Sequence, residues 1–264
     1  MKKIRLDQLI YDLGYTESRE RAKTTIMSGL VFVNGQRVDK PGTAVNPESR
    51  IEVRGEAIPF VSRGGFKLDK ALNVFPVDPC GKICIDCGAS TGGFTDVLLQ
   101  RGAAKVYAVD VGYGQLAWKL RTDERVVNLE RCNLRYIGPD QIPEMLDLAV
   151  MDVSFISIRL VLPAVKQLLK PGADLICLIK PQFEAGREEV GKKGVVRDEG
   201  VHERVIRGIL EFVPGIGLSV QGLDYSPIKG PEGNIEYICH LKNGNYPVPD
   251  LDIAEVVSAS HGAL

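Results

Sequence analysis

From Cys80 onward the chain carries five short, mainly apolar runs: 82–86, 105–110, 125–129, 146–152 and 174–180. A strand that is apolar at every position is buried on both faces, and such strands belong to parallel sheets covered by helices. Helical stretches fall between the runs, one opening at Gly92-Gly93-Phe94 towards Gln100, one over 158–169 and one over 201–212. Strands alternating with helices, with no internal repeat, predict an α/β domain built on a mainly parallel sheet. Two closing strands, 218–225 and 234–241, have no helix between them and predict a hairpin at one sheet edge.

The first 55 residues obey a different pattern. Ile4, Leu6, Leu9, Ile10 and Leu13 recur at helical spacing, and Gly14 supplies a stop. Ser18 is placed to cap a second helix with Ala22 and Ile26 on one row, ended by Gly29. Val31-Phe32-Val33-Asn34-Gly35-Gln36-Arg37-Val38 reads as strand, turn, strand, because Asn-Gly tolerates the positive φ of a tight turn. The chain therefore divides into a small α+β module (1–55), a linker (56–65), an α/β domain (66–243) and a Pro-rich, weakly helical tail (244–264).

Bulk charge excludes a uniformly basic nucleic-acid binder: 33 Lys and Arg face 34 Asp and Glu, so any basic surface must be local. No run reaches the roughly 18 apolar residues of a membrane span, and Met1-Lys2-Lys3-Ile4-Arg5 leads into no apolar signal segment. Six scattered cysteines fit reduced thiols, and a cytoplasmic protein is expected. Cys84 and Cys87 form a CxxC, but on a buried strand and with no second pair to complete four ligands, so no metal is expected.

At the carboxyl end of the first strand lies Asp86-Cys87-Gly88-Ala89-Ser90-Thr91-Gly92-Gly93-Phe94. Ligands of open α/β sheets bind at such strand ends, and a glycine-rich turn opening a helix offers close backbone approach and free N–H groups. The spacing is not G-x-G-x-x-G, and the wider loop through Ala89, Ser90, Gly92 and Gly93 suits an amino-acid carboxylate better than a pyrophosphate. Asp110, ending the next strand, can accept both hydroxyls of a ribose, and Asn133 can meet an adenine edge. An adenosine joined to an amino acid is S-adenosylmethionine; the competing readings are a plain glycine-rich turn and a nicotinamide cofactor.

Asp152 and Lys180 end the fourth and fifth strands, carrying opposite charges to the same rim of a buried sheet, where each is costly unless paired. Glu236 lies in Gly233-Asn234-Ile235-Glu236-Tyr237, and Lys67 at a helix start in Ser62-Arg63-Gly64-Gly65-Phe66-Lys67. Together with Met151-Asp152-Val153-Ser154-Phe155, Ile179-Lys180-Pro181-Gln182-Phe183-Glu184 and Ser226-Pro227-Ile228-Lys229-Gly230, these segments resemble, in order and over nearly the whole chain, the TlyA (hemolysin A) family of ribosomal RNA ribose methyltransferases. Its catalytic domain is similar to the FtsJ-like 2′-O-methyltransferases, and its N-terminal unit to the S4 RNA-binding domain. The resemblance implies a Rossmann-like S-adenosylmethionine-dependent methyltransferase sheet behind an S4-like domain, acting on a cytidine ribose in ribosomal RNA, within a ribosomal subunit or its precursor. The family's catalytic Lys-Asp-Lys-Glu set falls on Lys67, Asp152, Lys180 and Glu236.

A ribose hydroxyl must lose its proton before it can attack, and an ordinary lysine, with pKa about 10.4, is already protonated at neutral pH. Burial and a neighbouring cation favour the neutral amine, while carboxylates oppose that shift. The expectation is that Lys180 is the general base, Lys67 the neighbouring cation, and Asp152 and Glu236 the groups that orient and balance them. For the RNA, Arg19 and Lys23 lie four apart on one helix, with Arg5, Lys40 and Arg63 as further candidates for phosphate contact. The first 60 residues hold ten Lys and Arg against eight Asp and Glu, so it is the S4-like pattern, not the charge excess, that favours an RNA face. Two rival functions are a membrane-active hemolysin and an RNA-binding protein with an inactive catalytic domain.

Overall fold

A computed structural model describes residues 3–16, 18–54 and 58–264. The chain separates into two compact units, 1–65 and 66–264. Residues 56 and 57 of the expected linker lie outside the described residues.

In the first unit, β1 (Ile4–Arg5) leads into α1 (Leu6–Asp12), and α2 (Arg19–Met27) follows, its start capped by Ser18 Oγ, which accepts from Arg21 N at 3.1 Å. The strands β2 (Val31–Val33) and β3 (Gln36–Arg37) flank Asn34 and Gly35, both at positive φ as the tight turn requires. β4 (Ala44–Val45) pairs with β1, and β5 (Ile51–Val53) completes a three-stranded sheet in the order β3-β2-β5. Leu6, Leu9, Ile10, Ala22, Ile26, Val31, Val45 and Ile51 close one small core between the helices and the strands.

The second unit opens with α3 (Gly65–Val74) and continues as β6 (Ile83–Cys87), α4 (Gly93–Gln100), β7 (Lys105–Val109), α5 (Trp118–Arg121), β8 (Val126–Leu129), β9 (Leu146–Met151), α6 (Leu162–Gln167), β10 (Leu169–Ile179), α7 (Pro181–Glu184), α8 (Glu199–Phe212), β11 (Leu218–Tyr225), β12 (Tyr237–Asn243) and α9 (Ile253–Ala263). Its seven strands lie in the order β11-β12-β10-β9-β6-β7-β8. The five from β8 to β10 are parallel; β12 runs antiparallel between β10 and β11. The closing hairpin thus sits at the edge, as its helix-free connection requires. Strand order reverses between β6 and β9, and the carboxyl ends of those two strands flank the crevice where open α/β sheets bind ligands.

Two segments differ from expectation. The run expected over 174–180 begins earlier, for β10 starts at Leu169: pairing to β9 holds at Leu169, shifts over Lys170-Pro171-Gly172, and resumes at Asp174. The carboxyl-terminal segment is not a loose tail. In α9, Ile253 and Val257 are buried in the main core, and Ser260 bonds the Tyr237 hydroxyl at 3.1 Å.

Candidate active site

Each of the four strand-rim residues is delivered by a different element. Lys67 stands in the first turn of α3, Asp152 directly follows β9, Lys180 directly follows β10, and Glu236 directly precedes β12. Their side chains meet. Lys67 Nζ donates to Glu236 Oε2 at 2.6 Å and to Asp152 Oδ2 at 3.1 Å. Lys180 Nζ lies 2.5 Å from Asp152 Oδ1 and donates to Ser154 Oγ at 2.9 Å. Asp152 is therefore the bridge between two ammonium groups, and two cations with two carboxylates leave the cluster formally neutral.

The cluster is largely shut off from solvent: side-chain exposure is 8% for Lys67, 18% for Asp152, 7% for Lys180 and 1% for Glu236. Burial alone would raise the Asp152 carboxyl, but the ammonium groups of Lys67 and Lys180 more than reverse this and hold it below its ordinary range. Burial alone would lower Lys67, yet Asp152 and Glu236 more than compensate, and its pKa is raised. Lys67 is thus a fixed cation with two carboxylate partners, whereas Lys180 touches one carboxylate and one neutral hydroxyl.

The glycine loop lies against the same cluster. Gly88 holds φ +87°, and a Cβ there would come within 2.8 Å of the Asp152 carbonyl oxygen, so the loop backbone and the Asp152 backbone are in close contact. Gly92 holds φ +94° at the start of α4, where a Cβ would overlap Leu120. Beneath the loop, Asp86 is fully buried; its Oδ2 accepts from Thr95 N at 2.9 Å and Thr95 Oγ1 at 2.7 Å, while Oδ1 has no partner among the described residues. Burial, only partly offset by Thr95, pushes the Asp86 carboxyl up to about 7. Asp110 reaches back to the loop, its Oδ2 accepting from Ser90 N at 2.8 Å and its Oδ1 from Gly112 N at 2.7 Å. Asn133 caps a short helical turn through Arg135 N at 3.1 Å and lines an open groove of about 360 Å³ with Leu129, Glu130, Arg131, Cys132, Tyr136 and Gln141. Ala89 and Phe94 are buried, so Phe94 has little side-chain surface to present to a ligand.

Three contributors were not marked by sequence alone. Ser154 holds Lys180, and Thr95 holds Asp86. Phe155 is 91% exposed at φ +63°, with the Phe183 ring 5.2 Å away and Lys180 Nζ 5.9 Å from that ring. A bulky residue held at positive φ and in water is an outlier worth a functional account. The loop carrying it is braced by Glu184, which accepts from Ser157 Oγ at 2.6 Å and Ile158 N at 2.7 Å.

In the first unit, Arg5 and Arg19 converge on the buried carboxylate of Asp7, at 2.9 and 3.2 Å. Lys23 pairs with Glu20 at 2.6 Å on the surface of α2. Arg5 and Arg19 are exposed and Lys23 is half-buried, and all three already have carboxylate partners; Lys40 and Arg63 are also exposed.

A seven-stranded sheet of this order, with a glycine loop and a charged cluster at one rim, defines a Rossmann-like methyltransferase. Residues 60–243 match the FtsJ-like methyltransferase family and residues 4–51 the S4 domain. The chain belongs to the TlyA (hemolysin A) family of FtsJ-like methyltransferases. It is 44% identical to the 16S/23S rRNA (cytidine-2′-O)-methyltransferase TlyA of Mycobacterium tuberculosis, over 91% of this chain and 90% of that protein. It is 51% identical to YqxC of Bacillus subtilis, named as an rRNA methyltransferase, over 100% of this chain and 96% of the relative. A solved structure named as a hemolysin of Streptococcus thermophilus superposes with a TM-score of 0.80 at 48% identity, covering 100% of this chain and 97% of that one. No helix among the described residues is long and apolar enough to cross a membrane.

Proposed function

We propose that this chain transfers the methyl group of S-adenosylmethionine to the 2′-hydroxyl of a cytidine in ribosomal RNA, in the cytoplasm and on a ribosomal subunit or its precursor. The observation that carries this reading is the buried Lys67–Asp152–Lys180–Glu236 cluster packed against the glycine loop. S-adenosylmethionine supplies an activated methyl on a sulfonium, so what the protein must add is a base, alignment and a dry site. The loop suits that cofactor. Asp86 Oδ1 is a buried acceptor lacking a partner and fits an amino group, Asp110 fits ribose hydroxyls, Asn133 has a free amide nitrogen for an adenine edge, and Gly88 allows close approach.

In this reading Lys180 takes the hydroxyl proton. Asp152 Oδ1 holds its amine by an ion pair and Ser154 Oγ accepts a hydrogen bond from it, leaving a further corner to be aimed at an incoming oxygen. Lys67, locked by Asp152 and Glu236, keeps its charge and stands behind Asp152 as the neighbouring cation. Holding the three reacting atoms near a line contributes several kcal/mol more. Phe155, exposed beside Phe183, offers a flat face on which an unstacked base can rest, as a single-stranded or flipped nucleotide requires. Arg5, Arg19, Lys23, Lys40 and Arg63 supply phosphate contacts that hold the RNA without reading its sequence.

The test is to map 2′-O-methyl marks across ribosomal RNA from cells with and without this protein. At least one cytidine is expected to lose its mark. Identical maps, with the purified protein also failing to label that RNA from radiolabelled S-adenosylmethionine, would overturn the reading.

A further inference from the structure

Most cations of the second unit are matched to carboxylates: Lys70 to Asp224, Arg101 to Asp69, Lys105 to Glu144, Lys119 to Asp96, Arg125 to Asp123 and Lys170 to Asp147. Others have no carboxylate partner among the described residues, and three of these share one loop. Residues 190–197, Val-Gly-Lys-Lys-Gly-Val-Val-Arg, hold three cations and no carboxylate. Lys192, Lys193 and Arg197 are all exposed, and none has an ion pair, hydrogen bond or ring partner among the described residues.

Such a run is ordinarily a solvated and mobile stretch, but this one is held in shape. Gly191 N donates to the Val195 carbonyl at 3.0 Å and Gly194 N to the Gly191 carbonyl at 3.1 Å, closing a tight turn. Val195 and Val196 are buried beneath it. Lys193 sits at φ +69°, a left-handed conformation that a residue with a Cβ rarely adopts. The loop is then pinned by one buried side chain: Asn234 Oδ1 accepts from Val196 N at 3.0 Å, and Asn234 Nδ2 donates to the Gly194 carbonyl at 2.8 Å.

Asn234 is two residues before Glu236. Its carbonyl accepts from Gly230 N at 2.9 Å, and a Cβ on Gly230 would come within 2.7 Å of Glu236 Oε1. The basic turn and the carboxylate that locks Lys67 are therefore borne by one hydrogen-bonded segment. A shape-fixed group of three cations without direct partners among the described residues, though flanked by Glu188, Glu189, Asp198 and Glu199, matches the spaced negative charges of a nucleic-acid backbone better than it matches any neutral ligand.

We propose that Lys192, Lys193 and Arg197 form an RNA-backbone contact carried by the methyltransferase unit itself, taking phosphates near the nucleotide to be modified. This rests on the reading of the chain as an RNA methyltransferase. It adds that grip on the RNA is not confined to the S4 domain, and that Asn234 ties this grip to the catalytic rim.

The test compares the full chain with a Lys192→Gln/Lys193→Gln/Arg197→Gln variant, and with the charge-conserving Lys192→Arg/Lys193→Arg. Binding of protein-free ribosomal RNA is measured at 50 and 200 mM KCl. Three single-strand phosphate contacts change the slope of log affinity against log salt by about 2, so the ratio of wild-type to triple-variant affinity should fall about 20-fold across that range. The arginine variant should follow wild type, and S-adenosylmethionine affinity should be the same in all three. Equal salt slopes in wild type and triple variant would overturn the proposal. Methyl transfer, measured in parallel, separates the two ideas: wild type that binds RNA but never labels it removes the enzymatic reading, while the slopes still decide the loop.

Discussion

The two units handle charge in opposite ways. In the S4 domain Arg5, Arg19 and Lys23 keep 55%, 45% and 36% of their side chains in water; Asp7, shared by Arg5 and Arg19, is buried, whereas Glu20, the partner of Lys23, is exposed. In the methyltransferase unit both lysines of the rim are below a tenth exposed, and both carboxylates are drawn in with them. The difference fits the tasks proposed for the two units. Holding a phosphate needs charge, reach and tolerance of salt, all of which a solvated side chain supplies. Moving a proton needs an amine fixed in a dry place whose protonation can be tipped by its neighbours.

The strongest way to break this comparison is Lys180→Ala. Losing the base should reduce methyl transfer by about 10²–10⁴-fold or more, with cofactor affinity within about twofold of wild type. Near-normal turnover would show that the amine only holds structure. Asp152→Asn comes next. It leaves Lys67 and Lys180 buried with a neutral bridge, and should destabilise the methyltransferase unit by about 3–5 kcal/mol in urea unfolding. Its pH dependence has a defined sign. The Asp152 carboxyl is held below its unfolded value of about 3.9, so its contribution is present above that pH and is lost as pH falls through the depressed value. The variant should lack that acid limb; an unchanged acid limb would show that the bridge contributes no pH-dependent stability. The smallest effects belong to the exposed cations. Lys23→Ala should weaken RNA binding several-fold and reduce the salt slope by about 1, at unchanged turnover of saturating RNA. A loss of turnover there would blur the division of labour between the units.

How far the sequence could be read tracks the same division. Strands β6, β7 and β9 fall within two residues of expectation because an interior strand of a covered sheet is mainly apolar on both faces, and the edge strand β8 is also found where its short apolar run lies. Asn34-Gly35 and Ser18 were legible because turn and cap chemistry is local. Lys67 and Glu236 were not legible from pattern alone. They are 169 residues apart, and only the family resemblance paired two groups that the fold sets at 2.6 Å. Ser154 stood in a quoted motif without a role, since nothing local says that its hydroxyl meets an amine from another strand. Phe155 reads as one more apolar residue; its exposure depends on a left-handed backbone that no neighbour announces. Asp7 shows the converse error, for the spacing of Arg5 and Arg19 displays two cations but not the submerged acid that has already claimed them.

The Asp152 bridge has one more consequence. Because the resting amine of Lys180 is already satisfied by an acid on one side and an alcohol on the other, a stray water gains little by approaching it. A bound methyl donor would therefore be sheltered from wasteful hydrolysis until a nucleotide anchored elsewhere brings its own hydroxyl to displace one of those contacts.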